Sequence, residues 1–352
     1  IRLRLPSIVL RTIYPNSSKD LKMLKFGILG NAKIAREKVC PAIVAAGHQV
    51  YALATARPEA AADIIEPFNI RKTYPDYDQL LGDSDIDAIY IPLPNHLHVE
   101  YSIKGLQAGK AVLCEKPIAL DEADLSRLEA AAAEHSGVLM EAFMVAYHPQ
   151  WRLLREELLP KIGPIQSAHC IFAYKNLDPN NIRAKAELGG GGLLDIGCYA
   201  TLAGRWIFDA QPKVMAARRV LDREGGVDRL TSAMLDYGQG RTYAFTVATQ
   251  ACLHQRITIL GTQGWAEVMV PFNPDSAADA RFRWEAEGGR GEGTLIEMPP
   301  IDHYTEMVRA FAAKIDAGES WNNLGQSRQV MEVLDEIKQR SVTDVVPSAH
   351  MN

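Results

Sequence analysis

From Met23 to about Phe143, five short apolar runs (Leu24–Leu29, Gln49–Thr55, Ala88–Ile91, Ala111–Cys114 and Val138–Ala142) alternate with stretches of helical periodicity near Ile34–Ala46, Glu59–Glu66, Leu97–Ala108 and Glu122–Glu134. This alternation leaves little choice of architecture. Repeated βαβ units form one parallel sheet, and right-handed crossovers stack the helices on both of its faces. Beyond Tyr147 the texture changes. A helix is predicted at Gln150–Leu158, followed by alternating runs at Ile165–Tyr174, Lys213–Leu221, Thr231–Tyr237, Thr242–Ala248, Arg256–Leu260 and Ala266–Val270. Turn residues such as Asp236-Tyr237-Gly238-Gln239-Gly240 punctuate them, which predicts an antiparallel sheet. Gly288–Gly293 reads as a loose turn, and amphipathic helices near Tyr304–Ala317 and Gly325–Arg340 close the domain.

A chain of 352 residues exceeds what one hydrophobic core serves. The predicted fold class is therefore α/β followed by α+β: a doubly wound parallel sheet over 23–143, then an open-faced, mainly antiparallel sheet domain over 144–340, with 341–352 as a tail. Residues 1–22 carry Arg2, Arg4 and Arg11 around a short Ile8-Val9-Leu10 core. The apolar stretch is too short for a targeting segment and no small-residue cleavage site follows it. Residues 1–22 are read as an extension outside the domain, vector-derived or translated from upstream of the true start at Met23, and contributing nothing to the core. A net charge of −5 without a basic block argues against nucleic acid as a partner. No apolar run approaches the ~20 residues that cross a bilayer, so no membrane partner is expected. Cys40, Cys114, Cys170, Cys198 and Cys252 are scattered without a Cys-x-x-Cys pair, which points to a reducing, cytoplasmic setting and no metal site.

Four segments carry chemistry. The first is the turn Phe26-Gly27-Ile28-Leu29-Gly30-Asn31-Ala32-Lys33-Ile34-Ala35, between the first strand and first helix. There the dinucleotide pattern Gly-x-Gly-x-x-Gly becomes Gly30-x-Ala32-x-x-Ala35. Gly30 serves the tight turn. Ala32 places a methyl where a pyrophosphate approaches, while the helix-terminal N–H groups of Asn31, Lys33 and Ile34 remain available to it. The second is Gln49 to Arg57, whose strand ends without the acid that reads ribose hydroxyls. Thr55 and Arg57 can instead bind a 2′-phosphate, favouring NADP over NAD; the alternative is a solvated arginine beside a Pro-led helix start. The third is Ile91-Pro92-Leu93-Pro94-Asn95-His96-Leu97-His98, where two prolines fix a loop and Asn95 can cap the next helix. Taken alone, His96 and His98 read as structural.

The fourth pairs Glu115-Lys116-Pro117 with the distant run Gly189-Gly190-Gly191-Gly192-Leu193-Leu194-Asp195-Ile196-Gly197-Cys198-Tyr199. Together they supply a lysine, a carboxylate and a phenol. On a helix Asp195 and Tyr199 stand one turn apart on one face, and the glycine run leaves room for a ligand against the backbone. Lys116 ends a strand, where open α/β sheets bind ligands. Oxidising an alcohol requires a hydride acceptor and a base. A tyrosine with a pKa near ~10 needs a neighbouring cation to serve as that base. The assignment is Tyr199 as proton acceptor, Lys116 as its cation and donor to the substrate oxygen, and Asp195 as the residue orienting Lys116 and a substrate hydroxyl. The structural alternative makes Asp195 a helix cap and Tyr199 a core aromatic.

With these motifs the chain resembles the Gfo/Idh/MocA family of nicotinamide-dependent oxidoreductases, from Met23 to about Arg340. The resemblance implies a Rossmann domain and cofactor contacts from Gly30 to Ile34, from Leu93, Pro94, Asn95 and His98, and from Glu115 and Lys116. Many relatives have histidine where this chain has Tyr199, and the tyrosine suggests the aldose and dihydrodiol branch. Phe143 to Gln150 resembles a family segment in which arginine often occupies the place of Ala146; His148 there and Arg183 before the glycine run are implied substrate contacts, Arg183 equally readable as a solvated loop residue. The expected activity is NADP-dependent oxidation of a sugar or cyclic polyol, with aldose to lactone first. A trans-dihydrodiol dehydrogenase, a redox-assisted glycosidase and a non-catalytic NADP-sensing regulator are the competitors. Pairing through the C-terminal sheet as a homodimer or homotetramer is implied by resemblance alone.

Overall fold

The computed structural model describes residues 2–4, 22–289 and 291–347. They form two compact units. The first comprises 22–147 with 302–328, and the second comprises 2–4, the described part of 148–301, and 329–347.

The first unit is built on a seven-stranded, wholly parallel sheet. Its order is Trp321–Asn322, Val138–Ala142, Ala111–Glu115, Ala88–Ile91, Lys25–Leu29, Gln49–Ala54, Lys72–Tyr74. All four residues of Ala88–Ile91 are buried, as a strand covered on both faces requires. Chain order reverses between Lys25–Leu29 and Ala88–Ile91, so the carboxyl ends of these neighbours mark the topological switch point. The Gly30 turn, the loop after Ile91 and Lys116 all leave strands at that end. The five predicted strands are all present; Lys72–Tyr74 and the helix Tyr77–Leu81 were too short to show a period. Residues 302–328 join this unit rather than the C-terminal domain in which the sequence reading placed them. They add the edge strand Trp321–Asn322, and the Asn323 side chain pairs with both backbone groups of Glu141 (2.9 and 3.3 Å).

The second unit holds a ten-stranded mixed sheet, ordered Arg2–Arg4, Thr294–Met298, Ala280–Ala286, Gly264–Val268, Gln250–Gly261, Ile165–Lys175, Thr242–Ala248, Asp228–Asp236, Lys213–Asp222, Val342–Val346. Three neighbouring pairs are parallel and the rest antiparallel. Both supposed appendages supply edge strands: Arg2–Arg4 lies along Leu295–Glu297, and Val342–Val346 along Arg218–Asp222. Edge pairing uses backbone groups, so composition alone did not reveal it. The Ile8-Val9-Leu10 core and Arg11 lie outside the described residues. One face of the sheet is covered by the helix Cys198–Phe208, where Tyr243 donates to the Ala200 carbonyl at 2.7 Å and Phe208 stacks on Tyr237 at 4.3 Å. On the other face the cross-strand row Ile171, Thr246, Ser232, Arg218, Val342 runs unbroken. Ile171, Met234 and Val342 on that face are exposed.

Candidate active site

The first strand ends at Gly30, whose φ of +95° lies in the region that disfavours side chains. Its N–H donates to the Ala54 carbonyl at 2.9 Å, lashing the turn to the end of the second strand. The helix beginning at Lys33 presents first-turn N–H groups without intrahelical acceptors, the donor set a pyrophosphate requires. Ala32 is half-buried and Lys33 is exposed, 3.8 Å from Glu37. Asn31 is held by the protein: its side chain donates to Asp63 (2.9 Å), and Arg36 donates to the Asn31 backbone carbonyl (2.8 Å) and to its side-chain Oδ1 (2.9 Å). Arg36 also pairs with Asp63 at 3.1 Å. A carboxylate therefore does stand beside the turn, delivered by the helix Ala62–Phe68 rather than by the second strand. At that strand's end the Thr55 hydroxyl accepts from the Arg57 N–H at 3.3 Å. Arg57 is exposed and makes no ion pair among the described residues.

In the loop after Ile91, Leu93 is buried and Pro94 and Asn95 are half-buried. Asn95 opens the short turn Asn95–Leu97, which leads directly into the helix His98–Gln107. His98 is fully buried, with Nδ1 2.7 Å from the Pro117 carbonyl and Nε2 2.8 Å from that of Leu93, so it ties this loop to the segment after Lys116. That segment is fixed from other sides too. Tyr90 donates to Glu115 Oε1 at 2.6 Å, Glu115 Oε2 accepts from the Lys116 N–H at 3.3 Å, and Ile118 donates to Glu141 at 3.0 Å. The Lys116–Pro117 peptide is cis. Burial first, and then the Glu115 carboxylate, push the Tyr90 phenol well above its ordinary range, so it remains the donor.

In the second unit a wide turn, Leu193–Gly197, leads into the helix Cys198–Phe208. Asp195 sits in that turn, 6% exposed. Its Oδ2 accepts from Tyr174 at 2.6 Å and its Oδ1 lies 3.0 Å from Arg183 Nε. Burial, with Asp195 adding to it, raises the Tyr174 pKa and keeps that phenol protonated. From sequence Tyr174 marks only the end of the Ile165–Tyr174 run, and its contact with Asp195 is visible only in the structure. Tyr199 is buried, edge-on to Phe172 at 5.8 Å and 5.6 Å from Phe272. His148 is 2% exposed and caps the helix Pro149–Leu153, accepting from the Gln150 N–H through Nδ1 at 3.1 Å, which places its proton on Nε2.

The glycine run makes room for the protein rather than for a ligand. A Cβ on Gly190 would meet the Arg183 and Lys185 carbonyl oxygens at 2.6 and 2.7 Å, and one on Gly191 would meet Asp228 at 2.6 Å. Gly190 and Gly191 donate to those same two carbonyls at 3.0 Å, and buried Asp228 caps the helix start by accepting from Leu193 N–H at 2.7 Å. The structure thus joins Arg183 to Asp195. Lys116 belongs to the first unit; Asp195, Tyr199, Arg183 and His148 belong to the second. Among the described residues no group of three or more His, Cys, Asp or Glu could hold a metal ion, and no helix is long and apolar enough to cross a membrane.

A glycine turn at the switch point of a parallel sheet, followed by a mixed-sheet unit of this topology, defines a two-domain oxidoreductase with an NAD(P)-binding Rossmann domain. Residues 24–143 match the family described as "Oxidoreductase family, NAD-binding Rossmann fold", and 160–267 match the "GFO/IDH/MocA C-terminal domain". The chain belongs to the Gfo/Idh/MocA family. Among its relatives is the uncharacterized oxidoreductase ORF334 of Rhizobium meliloti, 37% identical over 90% of this chain and 97% of that one. Another is D-xylose 1-dehydrogenase (NADP(+)) 2 of Haloferax volcanii, 33% identical over 91% and 98%. The 3-ketoreductase KijD10 of Actinomadura kijaniata, solved with NADP and TDP-benzene, superimposes with a TM-score of 0.87 at 29% identity, covering 93% of this chain and all of that one.

Proposed function

We propose that the chain is an NADP-dependent dehydrogenase acting on a sugar or cyclic polyol, most readily an aldose at its anomeric carbon. The observation that carries this reading is the buried Asp195, gripped by Tyr174 and Arg183 and followed one turn later by Tyr199: a rigid carboxylate suits a hydroxyl-rich ligand, and the phenol supplies a proton acceptor. Similarity to an NADP-dependent xylose dehydrogenase supports the same class. The nicotinamide, when bound, supplies the hydride acceptor. Tyr199 takes the hydroxyl proton. Lys116 favours the phenolate by its charge and donates to the substrate oxygen. Asp195 accepts from a neighbouring hydroxyl, its own direction fixed by Tyr174 and Arg183.

NADP preference rests on the missing acid of the second strand and on exposed Arg57. Titration of the wild type should give tighter binding of NADP than of NAD, and Arg57→Ala should weaken NADP selectively by about 1–3 kcal/mol, the scale of a hydrogen bond to a charged group. Equal affinity for both cofactors in the wild type contradicts this.

A homodimer through the open sheet face is the second structural expectation. Ile171, Met234 and Val342 expose apolar surface there, and a flat apolar face suits a second copy. Sedimentation should find a dimer or tetramer at micromolar concentration, shifted toward monomer by Met234→Asp. A stable wild-type monomer overturns it.

A further inference from the structure

The strand Val138–Ala142 carries one acid in an apolar run. Glu141 is 4% exposed, and the dinucleotide turn makes no use of it. A buried carboxylate is costly unless donors surround it, and here they do. Ile118 N–H donates to Oε1 at 3.0 Å and Ser327 donates to Oε2. The residue's own backbone is clamped by Asn323 on both sides. Three separate stretches therefore converge on one side chain: the strand itself, the loop that follows Lys116, and the first turn of the helix Leu324–Arg340. Burial pushes the carboxyl above its ordinary range; the Ser327 hydroxyl, the Ile118 N–H and the nearby Lys116 charge oppose that. A well-packed apolar side chain of similar volume would serve stability as well, so stability alone does not account for an acid two residues' reach from Lys116.

We propose that Glu141 is a positioning residue for Lys116, fixing the loop that carries it through the Ile118 N–H. The inference rests on the assignment of Lys116 under the proposed function. Tyr90 on Glu115 and His98 on Pro117 hold the same loop from the other side, and Glu141 is the member that reaches past Lys116 to the next residue but one.

The test measures kcat, KM, NADP affinity and melting temperature for Glu141→Ala and Glu141→Gln, each in the wild-type and Lys116→Ala backgrounds. Glu141→Ala should lower kcat by about 10²-fold, the usual effect of misplacing a reacting group by about 1 Å, with NADP affinity nearly unchanged. Glu141→Gln should recover most of the loss, because its amide oxygen still accepts from Ile118. In the Lys116→Ala background Glu141→Ala should cost nothing more. The same fractional loss in both backgrounds, or unchanged kcat in a folded Glu141→Ala protein, overturns the proposal. Should Glu141→Ala fail to fold, Ser327→Ala carries the test: kcat falls in the wild-type background and not in Lys116→Ala, and an unchanged kcat overturns it. Full turnover by Lys116→Ala alone defeats the underlying assignment, whereas an impaired Lys116→Ala with additive Glu141→Ala defeats only this inference.

Discussion

Tyr199→Phe is expected to lower kcat on the best sugar substrate by roughly 10²–10⁴, the usual worth of a general base, while NADP affinity stays close to that of the wild type. The ring is packed against Phe172 and Phe272, and phenylalanine fills the same space, so stability should change little and the loss should belong to the missing oxygen. Lys116→Ala should do similar damage, since a phenolate without its cation is costly to form at neutral pH. Residues that act as one unit lose activity together, and the double variant should be little worse than either single one. The ionisation that controls kcat should disappear from the pH profile of Tyr199→Phe. Unchanged turnover by that variant would reassign the proton acceptor to Asp195, His148 or water, and leave Tyr199 as a core aromatic.

Gly190→Ala should be strongly damaging although it adds only one methyl near Asp195. The new Cβ meets two backbone carbonyl oxygens within 2.7 Å, and neither can swing aside as a side chain would. The loop from Arg183 to Lys185 must move, breaking the hydrogen bonds that Gly190 and Gly191 donate to it and drawing Arg183 off Asp195. Overpacking of this kind costs about 1–3 kcal/mol, and here kcat should fall with it. Gly325→Ala is the contrasting change. That glycine lies exposed in the helix Leu324–Arg340 with nothing within 4 Å of its Cβ position, and alanine there should raise stability by about 0.4–1 kcal/mol. Thermal melts of the two variants settle the matter: Gly190→Ala melting with the wild type would refute the account of the glycine run.

Strands with a clear period were legible from sequence. Thr242–Ala248 was bounded to the residue, because inward Tyr243, Phe245 and Val247 alternate with half-buried neighbours. Arg2–Arg4 and Val342–Val346 were not, since an edge strand needs backbone partners rather than an apolar pattern. The same limit applies to the site. Glu115-Lys116-Pro117 and the Gly189 to Tyr199 run announced themselves as local motifs, and Gly30 as a turn glycine. The groups that hold them did not. Tyr174 reaches Asp195 across elements, Glu141 reaches Ile118 from a neighbouring strand, and Asp63 meets Asn31 from a helix, and no local spacing encodes such meetings. Glu141 did leave one trace, a lone acid inside a buried strand, where charged residues seldom stand unpaired. The glycine run was read correctly as a close approach, with the wrong partner: carbonyls and Asp228 occupy the space assigned to a ligand.

NADP-dependent sugar oxidation is read out by the rate of nicotinamide reduction, followed by absorbance, for the purified wild type with NADP and with NAD across aldopyranoses, inositols and cyclic diols, paired with the reverse reaction on keto-sugars. Turnover is expected with NADP on at least one hydroxylated ring compound, aldopyranoses first, with its near loss in Tyr199→Phe. Absence of turnover in either direction with either cofactor, in a protein that still binds NADP, would contradict it and leave a nucleotide-binding regulator on the same fold.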